Sequence, residues 1–383
     1  MVTTTPHFTS HDARWLPTGA AGYRHMLAAI EHARKSVRLE TYIFRAPGPG
    51  ERFRAALIRA AIRGVRVEVL LDGHGSSELP ADFWRELRQA GGTVRIFNPF
   101  SFRLFALRNH RKLLLVDDAV AFVGGFNIGP EYDGDGVAQG WRDMGLELHQ
   151  GAALRDLAEA FDALFRNHDL HGRALQRFRR RSLGRRHRFD LKNVALLSGP
   201  RWARNPFRTA LMRALAEARH VQLASAYFLP NIRLRWALRQ VVRRGGTVEL
   251  LLPGKTDVPL AKTAGRSLYG ALLKAGVRIW EYQPQVLHSK LAIVDDIVFA
   301  GSSNLDTRSF GINYELMIRL EDRRLADQGR ALFAADQHQA VEILLPEWRR
   351  RQDWRTRLAG FWARLILTKI DPWVARRQLR TIS

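Results

Sequence analysis

Two patterns of apolar and polar residues alternate along this chain, one with helical spacing and one typical of strands. The same order of these patterns occurs in both halves of the chain. Segments whose apolar residues recur at helical spacing precede short runs rich in Val, Ile and Leu. The runs lie at 37–44, 65–72 and 93–97 in the first half, and at 221–228, 247–253 and 277–280 in the second. Their length and composition are typical of buried strands, so each half is predicted to alternate strands with helices.

Alternating strands and helices predict an α/β fold in which helices cover both faces of each sheet. We expect two homologous α-β-α sandwich repeats with mostly parallel or mixed sheets, a pseudo-twofold relation, and an active site where the halves meet. At 383 residues the chain can bury a large core in two lobes. The predicted domains are a first repeat at 1–170, a basic linker at 171–193, a second repeat at 194–345 and a basic amphipathic tail at 346–383.

Each half contains the same short motif, a His-x-Lys followed by an Asp five residues after the Lys. Residues 110–117 read His-Arg-Lys-Leu-Leu-Leu-Val-Asp, and residues 288–295 read His-Ser-Lys-Leu-Ala-Ile-Val-Asp. Both copies continue into a turn of small residues that ends in Asn, at 124–127 and at 301–304. A single His-x-Lys on a strand is usually structural, but two copies inside a whole-chain repeat indicate chemistry.

Two imidazoles, two ammonium groups and two amides suit phosphoryl transfer without a metal. A neutral imidazole is a competent nucleophile near pH 7, and a second imidazole can protonate the leaving oxygen. Lysine and asparagine side chains stabilise the charge that develops on the phosphodiester oxygens. Side chains two residues apart on a strand share a face, so the His and Lys of each motif are expected to point at one ligand.

The doubled motif resembles the phospholipase D superfamily over nearly the whole chain, and its details resemble bacterial cardiolipin synthases of the type B branch. The resemblance rests on Asn-His-Arg-Lys at 109–112, Gly-Gly-Phe-Asn at 124–127, Leu-His-Ser-Lys at 287–290 and Gly-Ser-Ser-Asn-Leu-Asp at 301–306. It implies a phosphatidyl transferase that joins two phosphatidylglycerols to cardiolipin plus glycerol through a phosphatidyl-histidine. No cofactor and no metal are expected.

The resemblance also implies a role for each motif residue. His110 would be the nucleophile, and His288 the general acid and base. Asp143 and Glu315, downstream of the two motifs, would orient the imidazoles, although the sequence does not show which acid serves which histidine. The expected catalytic set is His110, Lys112, Asp117, His288, Lys290 and Asp295, and the expected phosphate-binding set is Asn127, Ser302 and Asn304.

Two features qualify these roles. The motif aspartates, Asp117 and Asp295, more often support the scaffold than the chemistry in such motifs. Many relatives carry Ser or Thr after the turn glycine, whereas the first copy here has Gly125. Ser302 alone can therefore supply a hydroxyl, and the two halves are expected to bind phosphate unequally.

Charge and composition limit the classes of molecule that this protein is expected to bind. The net charge of +24 favours phosphate-rich partners, either nucleic acid or anionic lipid headgroups. The chain has no Cys, which excludes disulfides and thiol-ligated metals, and its 46% hydrophobic content excludes global disorder.

A membrane enzyme with this sequence is expected to bind the bilayer peripherally. The longest stretch without a charged side chain, 220–232, is shorter than the roughly 20 residues that a spanning helix needs. The polar N-terminus does not resemble a secretory signal. We therefore expect a peripheral protein on the cytoplasmic face of the inner membrane, bound to anionic phospholipids such as phosphatidylglycerol and cardiolipin.

Three segments are candidates for membrane contact. An insertion at 98–108 alternates aromatic and aliphatic residues with Arg, just before the first motif. The tail has apolar residues at helical spacing, surrounded by Arg and Lys: Trp354, Leu358, Phe361, Trp362, Leu365, Ile366 and Ile370. This helix could lie in a headgroup interface or pack on its own lobe. The Arg-rich run at 177–188 could be a solvated linker or a further lipid patch.

Other functions are compatible with the same catalytic groups. A hydrolase, or a transferase with another alcohol as acceptor, would use these residues unchanged. A nucleic-acid phosphodiesterase would also suit the charge, but the aromatic insertion and tail favour lipid over nucleic acid. A membrane-binding scaffold without activity is the remaining possibility, and the intact doubled motif argues against it.

Overall fold

The computed structural model describes residues 13–99, 106–149, 152–168, 193–200, 205–350 and 352–380. Two mixed β-sheets flanked by helices form an α/β fold of two repeats, as the strand and helix periods predicted. The Arg-rich run at 177–188 and most of the insertion, residues 100–105, lie outside the described residues, as do residues 1–12. The domain boundaries read from the sequence therefore stay a prediction.

The first repeat forms a seven-stranded sheet in the order β1-β7-β6-β5-β2-β3-β4. Its elements are β1 (Ala13–Leu16), α1 (Gly19–His32), β2 (Ser36–Thr41), α2 (Pro49–Ile62), β3 (Arg66–Asp72), α3 (Arg85–Gln89), β4 (Thr93–Phe97), β5 (Leu113–Val116), β6 (Val120–Gly124), a 3-10 turn (Pro130–Tyr132), β7 (Gly145–His149) and α4 (Ala152–Arg166).

The second repeat forms an eight-stranded sheet in the order β15-β11-β10-β9-β12-β13-β14-β8. Its elements are β8 (Val194–Ser198), α5 (Pro206–Glu217), β9 (His220–Ser225), α6 (Ile232–Arg243), β10 (Thr247–Lys255), α7 (Pro259–Arg266), α8 (Tyr269–Leu273), β11 (Arg278–Val286), β12 (Lys290–Val294), β13 (Ile297–Gly301), α9 (Thr307–Gly311), β14 (Glu315–Glu321), α10 (Arg323–His338) and β15 (Ala340–Glu342). Read from β8 to β11, this sheet has the order of the first.

Both sheets are mixed, which is the second of the two arrangements expected from the sequence. Strands β2, β3 and β4 are parallel, as are β9, β10 and β11. The motif strand of each repeat, β5 or β12, instead runs antiparallel to the central strand beside it. The strands that follow, β6 and β7 or β13 and β14, were not predicted and continue as antiparallel neighbours. A short turn connects β5 to β6 and β12 to β13, which antiparallel pairing allows.

A large hydrophobic cluster takes side chains from both repeats and holds the two sheets together. It includes Leu113, Val123, Phe161, Ile293, Val298 and Phe333, all of them buried. Fully burying each such side chain contributes about 1.5–3 kcal/mol. Because the motif strands β5 and β12 both contribute to this cluster, their histidine ends are brought to the interface between the repeats.

The tail contains α11 (Leu345–Arg350) and then one long helix from Trp354 to Arg380. The long helix consists of α12 (Trp354–Leu365), a π-helical turn (Ile366–Ile370) and α13 (Asp371–Arg380). Asp353 caps the start of α12, because its carboxylate accepts a hydrogen bond from the Thr356 backbone N–H. Across the described ranges, no helix has both the length and the apolar character that crossing a bilayer requires.

Candidate active site

Backbone hydrogen bonds between the repeats bring each motif histidine to an acid of the other repeat. The His110 N–H donates to the carbonyl of Tyr314 at 2.9 Å, and the Tyr314 N–H donates to the carbonyl of Arg108 at 2.9 Å. This parallel bridge places Glu315 beside the first motif histidine.

The second motif repeats this arrangement in reverse. The Arg142 N–H donates to the carbonyl of Val286, and the His288 N–H donates to the carbonyl of Arg142, both at 2.8 Å. Asp143 is thereby placed beside the second motif histidine. The two bridges are equivalent in the two repeats, as a pseudo-twofold relation requires.

The histidines and acids are therefore paired across the interface. His110 Nδ1 lies 3.0 Å from both carboxylate oxygens of Glu315, and His288 Nδ1 lies 2.6 Å from Asp143 Oδ2. All four side chains are buried, and the two carboxyl groups are fully so. This pairing answers the question that the sequence left open, namely which acid contacts which histidine.

The pairing with Glu315 also determines which nitrogen of His110 can react. Burial would raise the pKa of Glu315, but the neighbouring His110, the Lys112 ammonium group and the Ser302 hydroxyl lower it overall, so this group is an ionised acceptor. An ionised carboxylate can only accept a hydrogen bond, so Nδ1 of His110 carries the proton. Nε2, on the opposite side of the ring, is left with the lone pair.

Two buried lysines complete the cluster. Lys112 Nζ donates to the carbonyl of His110 at 2.7 Å, and Lys290 Nζ donates to the carbonyl of His288. Lys290 Nζ also lies 2.8 Å from Nδ1 of His288. Burial lowers the pKa of Lys112 to about 7 and that of Lys290 to about 8.

The remaining titratable groups of the cluster are shifted by burial as well. Burial lowers the pKa of His110 to about 4, and burial together with the Lys290 and Lys112 ammonium groups lowers that of His288. Burial raises the pKa of Asp143 to about 7 against the opposing effect of Lys290. Both histidines are therefore neutral at pH 7, the state that a nucleophile and a proton acceptor need.

The glycine that departs from the usual pattern has a steric role. A Cβ built on Gly125 would overlap the carboxylate of Asp143, so this position must lack a side chain while the acid keeps its place. At the equivalent position of the second repeat, the Ser302 hydroxyl donates to Glu315 Oε2 at 2.5 Å. The hydroxyl expected to bind phosphate is thus engaged by the acid that contacts His110.

We expect Gly125→Ser to lower the rate of transfer at least about tenfold, because the displaced Asp143 would no longer hold His288 in place. The reverse change, Ser302→Gly, removes the hydrogen bonds of the hydroxyl to Glu315 and from the Leu316 N–H without a clash, and should cost roughly three- to tenfold. Steady-state kinetics of both variants, at matched melting temperature, would check this order. Equal losses in the two variants would contradict the steric explanation.

The two turn asparagines differ in how far their side chains are already bonded. Asn127 accepts from the Ile43 N–H at 3.1 Å and donates to the Tyr132 hydroxyl at 2.7 Å. The buried Oδ1 of Asn304 has no hydrogen-bond partner within the described part of the chain. The side chain of Asn127 is thus engaged within its own repeat, and unequal phosphate binding by the two halves stays a prediction.

The motif aspartates lie away from the imidazoles, and their inclusion in the catalytic set is corrected. Asp117 accepts the backbone N–H groups of residues 34, 35 and 36, and Asp295 accepts those of residues 219 and 220. Each aspartate follows the end of its motif strand that is distant from the histidine. Its carboxylate binds the backbone of the turn that precedes the central strand, β2 or β9. These donors lower the pKa of Asp117 although burial opposes them.

Sequence reasoning missed two buried carboxyl groups that hold the first motif. Asp72 Oδ2 accepts the Asn109 N–H at 2.7 Å, and Glu40 Oε1 accepts from the Asn109 side-chain amide at 2.8 Å. A position-by-position comparison of the repeats would have found them, because the second repeat has Ala224 and Pro253 at these places. A buried acid that replaces an apolar residue in one repeat indicates that it binds a polar group found in that repeat, here Asn109.

Aromatic rings form the walls of the site. The ring centre of Tyr42 lies 5.1 Å from that of His110. Tyr132 and Trp141, which the sequence did not single out, lie 5.3 and 5.5 Å from His288. Tyr227 donates its hydroxyl to Asp257 at 2.7 Å.

Among the described residues, no group of three or more His, Asp or Glu side chains could hold a metal ion.

Comparisons with known proteins agree with this geometry. A family model described as "Cardiolipin synthase, PLD-like domain" matches residues 26–165 and 211–337. Cardiolipin synthase B of Escherichia coli K12 is 34% identical over 351 residues, covering 87% of this chain and 83% of that protein. Cardiolipin synthase A of Pseudomonas putida is also 34% identical, covering 88% of this chain and 70% of that protein.

The fold has a solved counterpart as well. The crystal structure of phosphatidylserine synthase from Haemophilus influenzae superimposes with a TM-score of 0.77, covering 97% of this chain and 96% of that one. The two sequences are 15% identical, so this likeness concerns the fold alone.

Proposed function

Because this chain belongs to the cardiolipin synthase family, and is a phosphatidyl transferase of the phospholipase D superfamily, we propose that its crossed histidine–acid pairs transfer a phosphatidyl group between two phosphatidylglycerols. His110 is the nucleophile, and His288 is the general acid and base. Lys112, Lys290 and Asn304 hold the phosphate oxygens. Asp143 and Glu315 position the two imidazoles.

In the first half-reaction, Nε2 of His110 attacks phosphorus and forms a phosphorus–nitrogen bond. The bond from phosphorus to the glycerol oxygen breaks, and His288 gives its proton to that oxygen. His288, which is neutral at pH 7, must therefore first take up a proton from the neighbouring Asp143 or Lys290, and it is neutral again after this step. The product is a phosphatidyl-histidine and free glycerol.

In the second half-reaction, the headgroup hydroxyl of another phosphatidylglycerol enters. His288 takes its proton, the hydroxyl oxygen attacks phosphorus, and the phosphorus–nitrogen bond breaks. Cardiolipin leaves, and both histidines return to their starting states. Water entering at this stage would yield phosphatidic acid, so aromatic walls that exclude water favour transfer over hydrolysis.

The observation that carries this proposal is the unequal environment of the two Nδ1 atoms. Nδ1 of His110 contacts the two oxygens of Glu315, which leaves Nε2 as a basic, uncharged nucleophile. Nδ1 of His288 lies between Asp143 and Lys290, whose pKa values are shifted to about 7 and about 8. Groups that share protons near neutral pH suit the histidine that must both give and take one.

A peripheral position on the cytoplasmic face of the inner membrane is part of this proposal. Phosphatidylglycerol resides in a bilayer, and a net charge of +24 attracts the chain to an anionic surface. The closing step needs two lipid molecules in succession, which a membrane surface supplies at high local concentration.

The rate at low lipid concentration should fall as the pH rises through about 7 to 8. The ammonium groups of Lys112 and Lys290 are charged below their lowered pKa values and lose that charge above them, so phosphate binding weakens. Bound phosphate favours the charged lysines, so the fall in kcat should lie at higher pH than the fall in kcat/KM. A kcat/KM that is flat between pH 6 and 9 would contradict the role of the lysines.

The proposal is tested by incubating the purified protein with phosphatidylglycerol vesicles, without added nucleotide, and identifying products by mass spectrometry. We expect cardiolipin and free glycerol in equal amounts. Phosphatidic acid without cardiolipin would show a hydrolase that uses the same residues. Cardiolipin formed only when another lipid is added would show a different acceptor or donor, and no lipid product would refute the proposal.

A further inference from the structure

The tail helix, residues 354–380, presents two different faces. Its inner face carries small side chains, including Gly360 and Ala363, and packs against α7 and the core of the second repeat. A Cβ built on Gly360 would lie 2.9 Å from Cβ of Ser267, so the close approach of the two helices depends on this glycine. Both alternatives considered for the tail therefore have a basis, since one face packs on the lobe while another remains exposed.

The outer face carries a stripe of large apolar residues that no described part of the protein covers. The side chains of this apolar stripe are Trp354, Leu358, Phe361, Trp362, Ile366, Ile370 and Trp373. Trp354, Trp362 and Trp373 are 69%, 52% and 58% exposed. Soluble proteins seldom leave so many large apolar side chains together in water, so such a stripe marks a surface that binds something.

The neighbouring helix α6 extends this exposed surface. Ile232 and Trp236 on α6 are 73% and 59% exposed. Arg235, between them on this helix, is close enough to Arg364 of the tail helix for the two charges to interact. The exposed apolar side chains thus lie on α6 as well as on the tail helix.

Basic side chains border the apolar stripe. Arg355, Arg357, Arg364, Lys369 and Arg377 all lie on the tail helix. A groove of about 410 Å³ between α7 and the tail helix is lined by Arg266, Arg357 and Arg364, together with Ser267 and Thr356. Guanidinium groups and hydroxyls in a groove of this size can hold the phosphate of a lipid headgroup.

The tail helix also reaches the vicinity of the active site. Asp371 accepts from Arg308 Nη1 at 2.5 Å, and Arg308 Nη2 donates to the carbonyl of Ala106 at 2.8 Å. Ala106 and Ala375 pack together with Ile312, which is three residues before Glu315. A lipid surface in contact with the tail would therefore lie near the segment that precedes the first motif.

We propose that the apolar stripe and its basic border dock onto a bilayer that contains anionic phospholipids, with the tail helix lying in the headgroup region. Trp side chains prefer this region because their rings are apolar while their N–H groups remain near water. The basic border matches the negative charge of the headgroups, which a second copy of this strongly basic chain would not supply. The inference rests on the proposed function only in assuming that the substrate is a membrane lipid.

The test compares vesicle binding by the full chain and by Trp354→Ser/Trp362→Ser/Trp373→Ser. Sedimentation with phosphatidylcholine vesicles, with and without phosphatidylglycerol, should show strong binding of the parent protein only when phosphatidylglycerol is present. The triple variant should bind at least about tenfold more weakly, because most of the inserted apolar area is removed. Ile62→Ser, which removes an apolar side chain that is 72% exposed on α2 of the first repeat, is the matched control and should bind like the parent.

Activity on short-chain phosphatidylglycerol dispersed in detergent separates docking from catalysis. The triple variant should keep the parent rate there and lose rate only on vesicles, with an unchanged melting temperature. Unchanged vesicle binding by the triple variant would overturn the proposal, as would an equal loss in Ile62→Ser. A shift from dimer to monomer with unchanged vesicle binding would assign the stripe to a contact between copies. If no protein makes cardiolipin from dispersed lipid, the proposed function fails while vesicle binding still decides the docking surface.

Discussion

His110→Ala is expected to lower the rate of cardiolipin formation by roughly 10⁴-fold or more, with the melting temperature nearly unchanged. The substitution removes the only atom that can form the bond to phosphorus in the first half-reaction. Its contact with Glu315 is lost, but the hydrogen bonds that join the repeats at this point are made by the backbone and persist. Mass-spectrometric analysis of the products formed by the parent protein and by His110→Ala measures the loss.

The matched variant His288→Ala separates the nucleophile from the proton donor. A phosphatidyl ester of p-nitrophenol needs no protonation of its leaving group, so His288→Ala should still release p-nitrophenol in a single burst and accumulate phosphatidyl-His110. His110→Ala should release none. A burst from His110→Ala, together with no release from His288→Ala, would reverse the two roles.

Glu315→Gln is expected to lower kcat by roughly 10³- to 10⁴-fold while KM changes little. An amide in this place can donate to Nδ1 of His110, which favours the tautomer that carries its proton on Nε2 and so blocks attack on phosphorus. The neutral side chain keeps nearly the same volume and the same contact with Ser302, so the fold should remain. Nitrogen NMR of the imidazole would show the change of tautomer directly.

Two control variants make this prediction specific. Glu321→Gln changes the same residue type at the far end of the same strand, β14, and should leave the rate near that of the parent. Asp143→Asn acts through His288, so this variant should recover much of the rate of its first half-reaction on the p-nitrophenyl ester. Glu315→Gln acts through His110 and should recover none. Equal rescue of both variants would show that the acids do not serve different histidines.

Much of the fold could be predicted from local pattern. Buried strands such as β5 and β12 are almost entirely apolar runs, and the recurrence of such strands in both halves predicted the two repeats. The antiparallel strands β6 and β14 were missed, because periodicity identifies a strand but does not reveal its neighbours. The sheets are accordingly mixed, since a short turn connects each motif strand to the next strand and makes the two antiparallel.

The candidate site was predictable to a similar extent. The spacing of His and Lys along one strand predicted that His110 and Lys112 act on one ligand, and both lie in one buried cluster. Asp117 belongs to the same motif by spacing, yet it binds the backbone at the other end of the strand. Spacing shows which residues are near in the chain, but not which end of a strand faces the partner repeat.

The sequence by itself determined which groups this protein has available for chemistry, namely two histidines and two lysines in a doubled arrangement. These depend on residue types and on distances of a few positions along a strand. Only the tertiary structure decided that Glu315 serves His110, 205 positions away, and that Asp143 serves His288, 145 positions away. These pairs depend on how the two sheets face each other and on backbone bridges between distant segments. Contacts of that kind arise from packing of the whole chain, and no local period of apolar and polar residues records them.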